Sequence, residues 1–198
     1  MLYAGKVGAQ RQRIDKDWGG DMKIAVFFPG IGYHCDKPLL YYSGKIAGQL
    51  QYELCKVNYV NLSRSLEDAF TQALAQAEEI LAQIDWSRYE DIVFVSKSIG
   101  TVVAAAYAKK HGISCRNVYY TPVAQTFEFD PQHGIVFHGT ADSWVETVVI
   151  TTKCQEHDLP LHVIEGVDHS LEEKGDTMRS LCILQQVMEL TKSYIAVI

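Results

Sequence analysis

The apolar positions of this chain follow two rhythms in alternation. Lys23 to Phe28 and Asp91 to Val95 contain continuous apolar runs, as strands covered on both faces do. Tyr52 to Val60 alternates apolar and polar and is rich in β-formers. Asn117 to Thr121, Gly134 to His138 and Leu161 to Glu165 read as three more short strands, the first stopped by Pro122. Between them the period lengthens. Pro38 to Leu50 predicts a helix opening at a proline, with Leu39, Leu40, Ile46 and Leu50 on one side. From Ser65, with Asp68 completing a short capping box, Leu66, Phe70, Ala73, Leu74, Ala77, Leu81 and Ile84 recur at helical spacing. A helix follows Ser98 and closes at Gly112. Two more are expected over Trp144 to Glu156 and Asp176 to Tyr194, while residues 123–133 read as irregular.

Strands alternating with helices predict one α/β domain over residues 22–198. Its sheet should be doubly wound, mainly parallel and six-stranded, with helices on both faces. Residues 1–21 show no periodicity and no apolar leader segment, and are expected to be a poorly ordered extension. Trp18, Gly19 and Gly20 require G-rich codons just upstream of Met22, as a translated bacterial ribosome-binding site would, which makes Met22 a candidate start.

Composition narrows the class. Apolar residues are 47% and charged residues 21% of the chain, ordinary for a globular protein. A net charge of −6 disfavours nucleic acid and anionic membrane as partners. No apolar run approaches the roughly 20 residues of a membrane helix. Cys35, Cys55, Cys115, Cys154 and Cys182 are scattered, with neither CxxC pairs nor zinc-ligand spacing. Free thiols in a reducing cytoplasm, and no metal or other cofactor, are expected. Nothing in the pattern bears on oligomeric state.

The chemistry concentrates where the strand ending at Val95 breaks into a helix. Ser98 stands in that turn, with Ser96 and Gly100 two residues to either side. A turn this sharp crowds its flanks, so they must be small, and it puts the serine at positive φ at a cost of roughly 1–3 kcal/mol. The hydroxyl is then exposed at a helix N-terminus, where peptide dipoles favour developing negative charge. A serine nucleophile needs a base, and the base needs an orienting acid. In such sheets the loops after the strands' C-terminal ends supply them. Those loops hold Asp142 and His169, in the chain order Ser, Asp, His.

The turn Ser96 to Gly100, with the phrases Phe137 to Val145 around Asp142 and Glu165 to Leu171 around His169, resembles the α/β-hydrolase superfamily in its minimal, lidless form. The resemblance covers residues 23–198. It implies a serine hydrolase acting on a carboxylic ester or thioester of a small molecule through an acyl-enzyme. Ser98 is the implied nucleophile, His169 the base and Asp142 its orienter. Backbone N–H groups of Ile99 and, from the loop Pro29 to Gly32, of Ile31 are the implied oxyanion donors. Pro29 replaces the superfamily's histidine there, so the register of the second donor is open by one residue. Gly30, Gly32, Tyr33 and Trp144 are expected against the substrate, with Tyr41 and Thr121 as further pocket walls. Acyl transfer to an alcohol, and a hydrolase-fold binding protein without turnover, are the alternative readings.

Several residues compete with these. Ser96 is a rival nucleophile, Glu146 a weaker substitute for Asp142, and Asp168 a loop or cap residue. His138 is read as a hydrogen-bonded structural histidine, and His162 lies at the wrong end of its strand. His34 and Cys35 are candidate pocket liners. Lys97 should point away from the nucleophile. Gly30 and Gly32 lack the complete G-x-G-x-x-G, because position 35 is cysteine, and no P-loop occurs.

Overall fold

A computed structural model describes residues 10–12, 22–63 and 65–197. The elements are β1 (Gln10–Gln12), β2 (Met22–Phe28), α1 (Pro38–Gln49), β3 (Glu53–Lys56), α2 (Leu66–Leu81), β4 (Tyr89–Lys97), α3 (Ile99–His111), β5 (Arg116–Tyr120), β6 (Gly134–Gly139), α4 (Thr147–Glu156), β7 (Leu161–Ile164) and α5 (Thr177–Ala196). They build one sheet in the order β1-β3-β2-β4-β5-β6-β7. The six strands β2 to β7 run parallel, and β1 adds to the β3 edge antiparallel. The predicted six-stranded parallel sheet is therefore present. The short polar strand Gln10–Gln12 carries no apolar rhythm and was not expected; the rest of residues 1–21 lies outside the described residues.

Alternation along β2 and β4 sends side chains to two cores. Ala25, Phe27, Val93 and Val95 pack with Leu39, Leu40, Ile183 and Val187 of α1 and α5. Ile24, Val26, Phe28 and Phe94 pack with Ala73, Ala77, Val103 and Tyr107 of α2 and α3. The chain passes from β2 outward to β3 and returns across it to β4, so the winding reverses between β2 and β4. Loops leaving those two strands diverge there and open the crevice in which such sheets bind ligands. At the opposite end, Arg116 pairs with Asp91 at 2.7 Å and donates to the carbonyls of Tyr194 and Ile195, fastening the end of α5 to the sheet.

Two boundaries and one cap differ from expectation for local reasons. The strand expected over Tyr52 to Val60 stops at Lys56, because Gln76 of α2 takes over both main-chain groups of Val60 (2.8 and 2.9 Å). Ser65 makes no capping bond; Ser63 Oγ instead accepts its N–H at 3.1 Å. The helix expected from Trp144 begins at Thr147, since the N–H of Trp144 donates to Asp142 Oδ1. Residues Ala124–Phe129, expected to be irregular, form a 3-10 turn. Gly112 ends α3 in the left-handed conformation, φ 61°, as expected. No helix among the described residues is long and apolar enough to cross a membrane.

Candidate active site

Ser98 sits between the last residue of β4 and the first of α3 at φ 55°, ψ −126°. The turn survives this strain because its surroundings leave no alternative. The N–H of Ser98 donates to the carbonyl of Tyr120 on β5, at 3.1 Å. Gly100 lies so close to the end of β2 that a Cβ there would stand 2.2 Å from the carbonyl oxygen of Phe28 and 2.5 Å from that of Pro29. Ser96, the rival nucleophile, is fully buried and donates to the carbonyl of Val118.

His169 Nε2 is 2.8 Å from Ser98 Oγ, and its Nδ1 is 2.7 Å from Asp142 Oδ2. The three side chains thus form one hydrogen-bonded file across the ends of β4, β6 and β7. Asp142 is buried, and burial alone would raise its carboxyl. The hydrogen bonds from His169 and from the N–H of Trp144 outweigh that and hold it below the ordinary aspartate value. The ring of Trp144 stacks on the imidazole with centroids 5.6 Å apart, and is 60% exposed.

The histidine loop is built by groups of no obvious catalytic type. Asp168 Oδ1 accepts the N–H groups of Ser170 (2.7 Å) and Glu172 (3.2 Å), a loop role as expected for it. Thr121, expected as a pocket wall, is instead fully buried at φ 41°, and its Oγ1 donates to the carbonyl of His169 at 2.9 Å. The sequence signals this position only through Pro122, which stops the strand directly after Thr121. Below the loop, a Cβ on Gly139 would come within 2.3 Å of the carbonyl oxygen of Val167, so β6 must pass there bare.

Pro29 to Tyr33 form a tight turn beside the serine. Gly30 and Tyr33 exchange main-chain hydrogen bonds of 3.1 and 3.2 Å, which consumes the N–H of Gly30. The N–H of Ile31 has no acceptor among the described residues. That of Ile99, at the first position of α3, has none within the helix. A Cβ on Gly30 would stand 3.1 Å from that of Ser98, while Gly32, at φ 70°, takes the left-handed position of the turn. Ile31 is 49% exposed.

The other candidates fall away from the file. Glu146 only precedes α4, and His162 stacks on Phe137 within the sheet. Tyr41 projects from α1 against Tyr42. His34 is exposed, but Cys35, expected near the pocket, is buried in the core with its thiol pushed up by burial to about 12. All five cysteines are free. Lys97 points away from Ser98 into the core, as expected, with Nζ 5.2 Å over the ring of Tyr33.

His138 corrects the expectation of a hydrogen-bonded histidine. It is fully buried and both ring nitrogens lack a partner among the described residues; Asp142 Oδ2 lies 3.8 Å from Nδ1. Burial outweighs that carboxylate and lowers the pKa below the ordinary 6.5. The unfolded chain therefore takes up this proton first, and stability is lost as pH falls from 6.5 toward the folded value. Asp142 adds a second loss, beginning as pH falls through 3.8. Replacing His138 by leucine should flatten the first limb and add ~1–2 kcal/mol at pH 5, the usual cost of an unpaired buried group. Thermal melts of both proteins from pH 7 to pH 4 check this.

No protein-family model matches the chain, and no curated protein is similar to it in sequence. Solved structures do match, over nearly the full length. Est1E from Butyrivibrio proteoclasticus, solved with ferulic acid bound, has a TM-score of 0.67 at 12% identity, covering 96% of this chain and 95% of its own. A serine hydrolase without a lid from Xanthomonas campestris has a TM-score of 0.65 at 14% identity, covering 94% and 87%. Est2, a thermophilic esterase from Thermogutta terrifontis, has 0.61 at 20% identity, covering 90% and 83%. The sheet order, the strand-to-helix turn and these likenesses agree: the chain has the α/β-hydrolase fold.

Proposed function

We propose that this chain is a serine hydrolase cleaving a carboxylic ester or thioester of a small molecule. One observation carries the reading: the unbroken file Asp142–His169–Ser98, with its serine on a positive-φ turn at a helix start. Names of structural neighbours that speak of serine hydrolases and esterases support it.

In this reading His169 Nε2 takes the proton of Ser98 as Oγ bonds to the acyl carbon. The carbonyl oxygen becomes an oxyanion, facing the N–H groups of Ile99 and Ile31. Because the N–H of Gly30 is already bonded to Tyr33, the next residue is the better donor, which favours the Ile31 register. Collapse of the tetrahedral intermediate breaks the bond to the leaving alkoxide or thiolate, which receives the proton from His169. Water repeats the sequence on the acyl-enzyme and returns Ser98. Asp142 stays ionised, consistent with its lowered carboxyl, and holds the imidazole tautomer. Gly30, Gly32 and Tyr33 on one side and Trp144 on the other form the substrate's walls. Nothing in this sequence of steps uses a cofactor. Five free thiols fit a cytoplasmic setting.

A panel of p-nitrophenyl esters of increasing acyl length tests the proposal. Turnover of at least one, with a burst of p-nitrophenol before the steady state, is expected. No turnover across the panel and no turnover of the matching thioesters would turn the reading toward a binding protein.

A further inference from the structure

A second imidazole stands beside the file of Ser98, His169 and Asp142 and takes no part in the steps above. His138 lies on β6, where alternation puts it on the face of Val136, which packs with Phe127 and Ile150. Its side chain is fully buried, and neither ring nitrogen has a hydrogen-bond partner among the described residues. Buried polar groups are nearly always paired, so an imidazole left this way calls for a role. Burial keeps the ring uncharged at neutral pH, so one nitrogen carries a proton and the other a lone pair.

What its Nδ1 faces is the acid of the file: Asp142 Oδ2 is 3.8 Å away. That is longer than a hydrogen bond, yet a small side-chain rotation closes it. The turn between the two residues holds them near each other, since the N–H of Asp142 donates to the carbonyl of Gly139 at 3.1 Å. The carboxylate has room for a further donor. An ionised carboxylate offers about four acceptor sites. Among the described residues Asp142 uses two, Oδ1 for the N–H of Trp144 at 2.8 Å and Oδ2 for His169 Nδ1 at 2.7 Å. The bond at Oδ1 is a single point about which the carboxylate can turn, and turning swings Oδ2 away from His169. His138 stands against that oxygen from the buried side.

We infer that His138 is a positioning residue, whose Nδ1–H, facing Oδ2 of Asp142 from within the core, confines the carboxylate between two imidazoles and keeps its bond to His169 in line. The tautomer follows from the surroundings: the proton belongs on the nitrogen that faces the carboxylate, and the lone pair on the one among apolar neighbours. The attraction of this N–H for the carboxylate is strengthened by the low surrounding dielectric. The inference rests on the hydrolase reading for its effect on rate, but not for the confinement of Asp142, which is a property of the resting protein. It also gives the stability lost to a buried, unpaired ring a functional return, the usual trade between the two.

The test compares His138→Leu, His138→Asn and His138→Gln with the wild type at neutral pH. Two quantities are read: the proton NMR signal of His169 Nδ1–H, and kcat and KM for an ester. Leucine fills the space without a donor. Asparagine sets an N–H close to where histidine carries Nδ1, whereas glutamine reaches toward the place of Nε2. In His138→Leu the signal should move upfield and exchange faster with water. Its kcat should fall about 10-fold, the size of a small misplacement, with KM little changed. His138→Asn should recover the signal and most of the rate, and His138→Gln should behave like His138→Leu. If His138→Leu does not fold, asparagine against glutamine carries the same comparison. An unmoved signal in His138→Leu overturns the inference, and so does an undiminished kcat beside an active wild type. Equal rescue by asparagine and glutamine overturns it too, because a merely polar filler would not distinguish the two nitrogens. If the signal responds as expected but neither wild type nor variants turn over any ester, the hydrolase reading fails and the confinement of Asp142 stands.

Discussion

Replacing Ser98 by alanine should lower kcat/KM for every ester the protein turns over by about 10⁴- to 10⁶-fold, the loss expected when one member of a concerted unit is removed. The substitution deletes only Oγ, which lies at the end of the file from Asp142 through His169. No neighbour can substitute. Ser96 is fully buried and engaged with the carbonyl of Val118, and Thr101 Oγ1 is bonded to the carbonyl of Ser98 at 2.6 Å. A companion variant separates chemistry from folding. Ser98→Gly removes the same oxygen and also relieves the positive φ, so it should be equally inactive yet melt higher, by roughly the 1 kcal/mol or more held in such a turn. Finding both variants inactive, one of them stabilised, shows that the strain at Ser98 serves function. An active Ser98→Gly would remove Ser98 from the reaction.

The second large effect is on folding. Gly100→Ala should destabilise the protein by several kcal/mol, about 4 or more, a large share of the stability of a domain this size. The added methyl would stand 2.2 Å from the carbonyl oxygen of Phe28 and 2.5 Å from that of Pro29. Both are main-chain atoms at the end of β2, so no side chain can turn aside. Only displacement of α3 from β2 relieves the clash, and that carries Ser98 and the N–H of Ile99 out of register with the turn at Ile31. Gly112→Ala is the control. Unlike Gly100 it has positive φ, but a Cβ there meets nothing, so its cost should stay at ~1 kcal/mol. Circular-dichroism melts of the two variants beside the wild type decide it. Equal melting temperatures for the two would contradict the packing argument.

The contrast between these glycines bears on what the sequence discloses. The alternation of apolar runs with longer-period stretches was enough for the parallel sheet, because each element buries its own face and so writes its own pattern. The file of Ser98, Asp142 and His169 was legible for a related reason: each residue lies just past a strand, and parallel strands gather such positions at one edge. The residues that hold the file in place write no pattern. Thr121 acts through one hydroxyl on the carbonyl of His169, a contact between residues far apart in the chain. His138 reads as an ordinary strand residue, and only the packing shows that its ring nitrogens are left without partners. Lys97 can be placed on the core side by strand alternation, but not over Tyr33. The edge strand Gln10–Gln12 pairs through its backbone, which any sequence can do. The end of β3 at Lys56 depends on Gln76 from another element.

The central claim is that Ser98 is the nucleophile of an acyl-transfer site, and an active-site-directed fluorophosphonate tests it without knowledge of the substrate. Such a probe reacts only with a serine that a neighbouring base activates and oxyanion donors support. The account predicts a single covalent adduct on the wild type, mapped by peptide mass spectrometry to Ser98, and none on Ser98→Ala. An adduct on another residue, a labelled Ser98→Ala, or a folded wild type that never labels would contradict it.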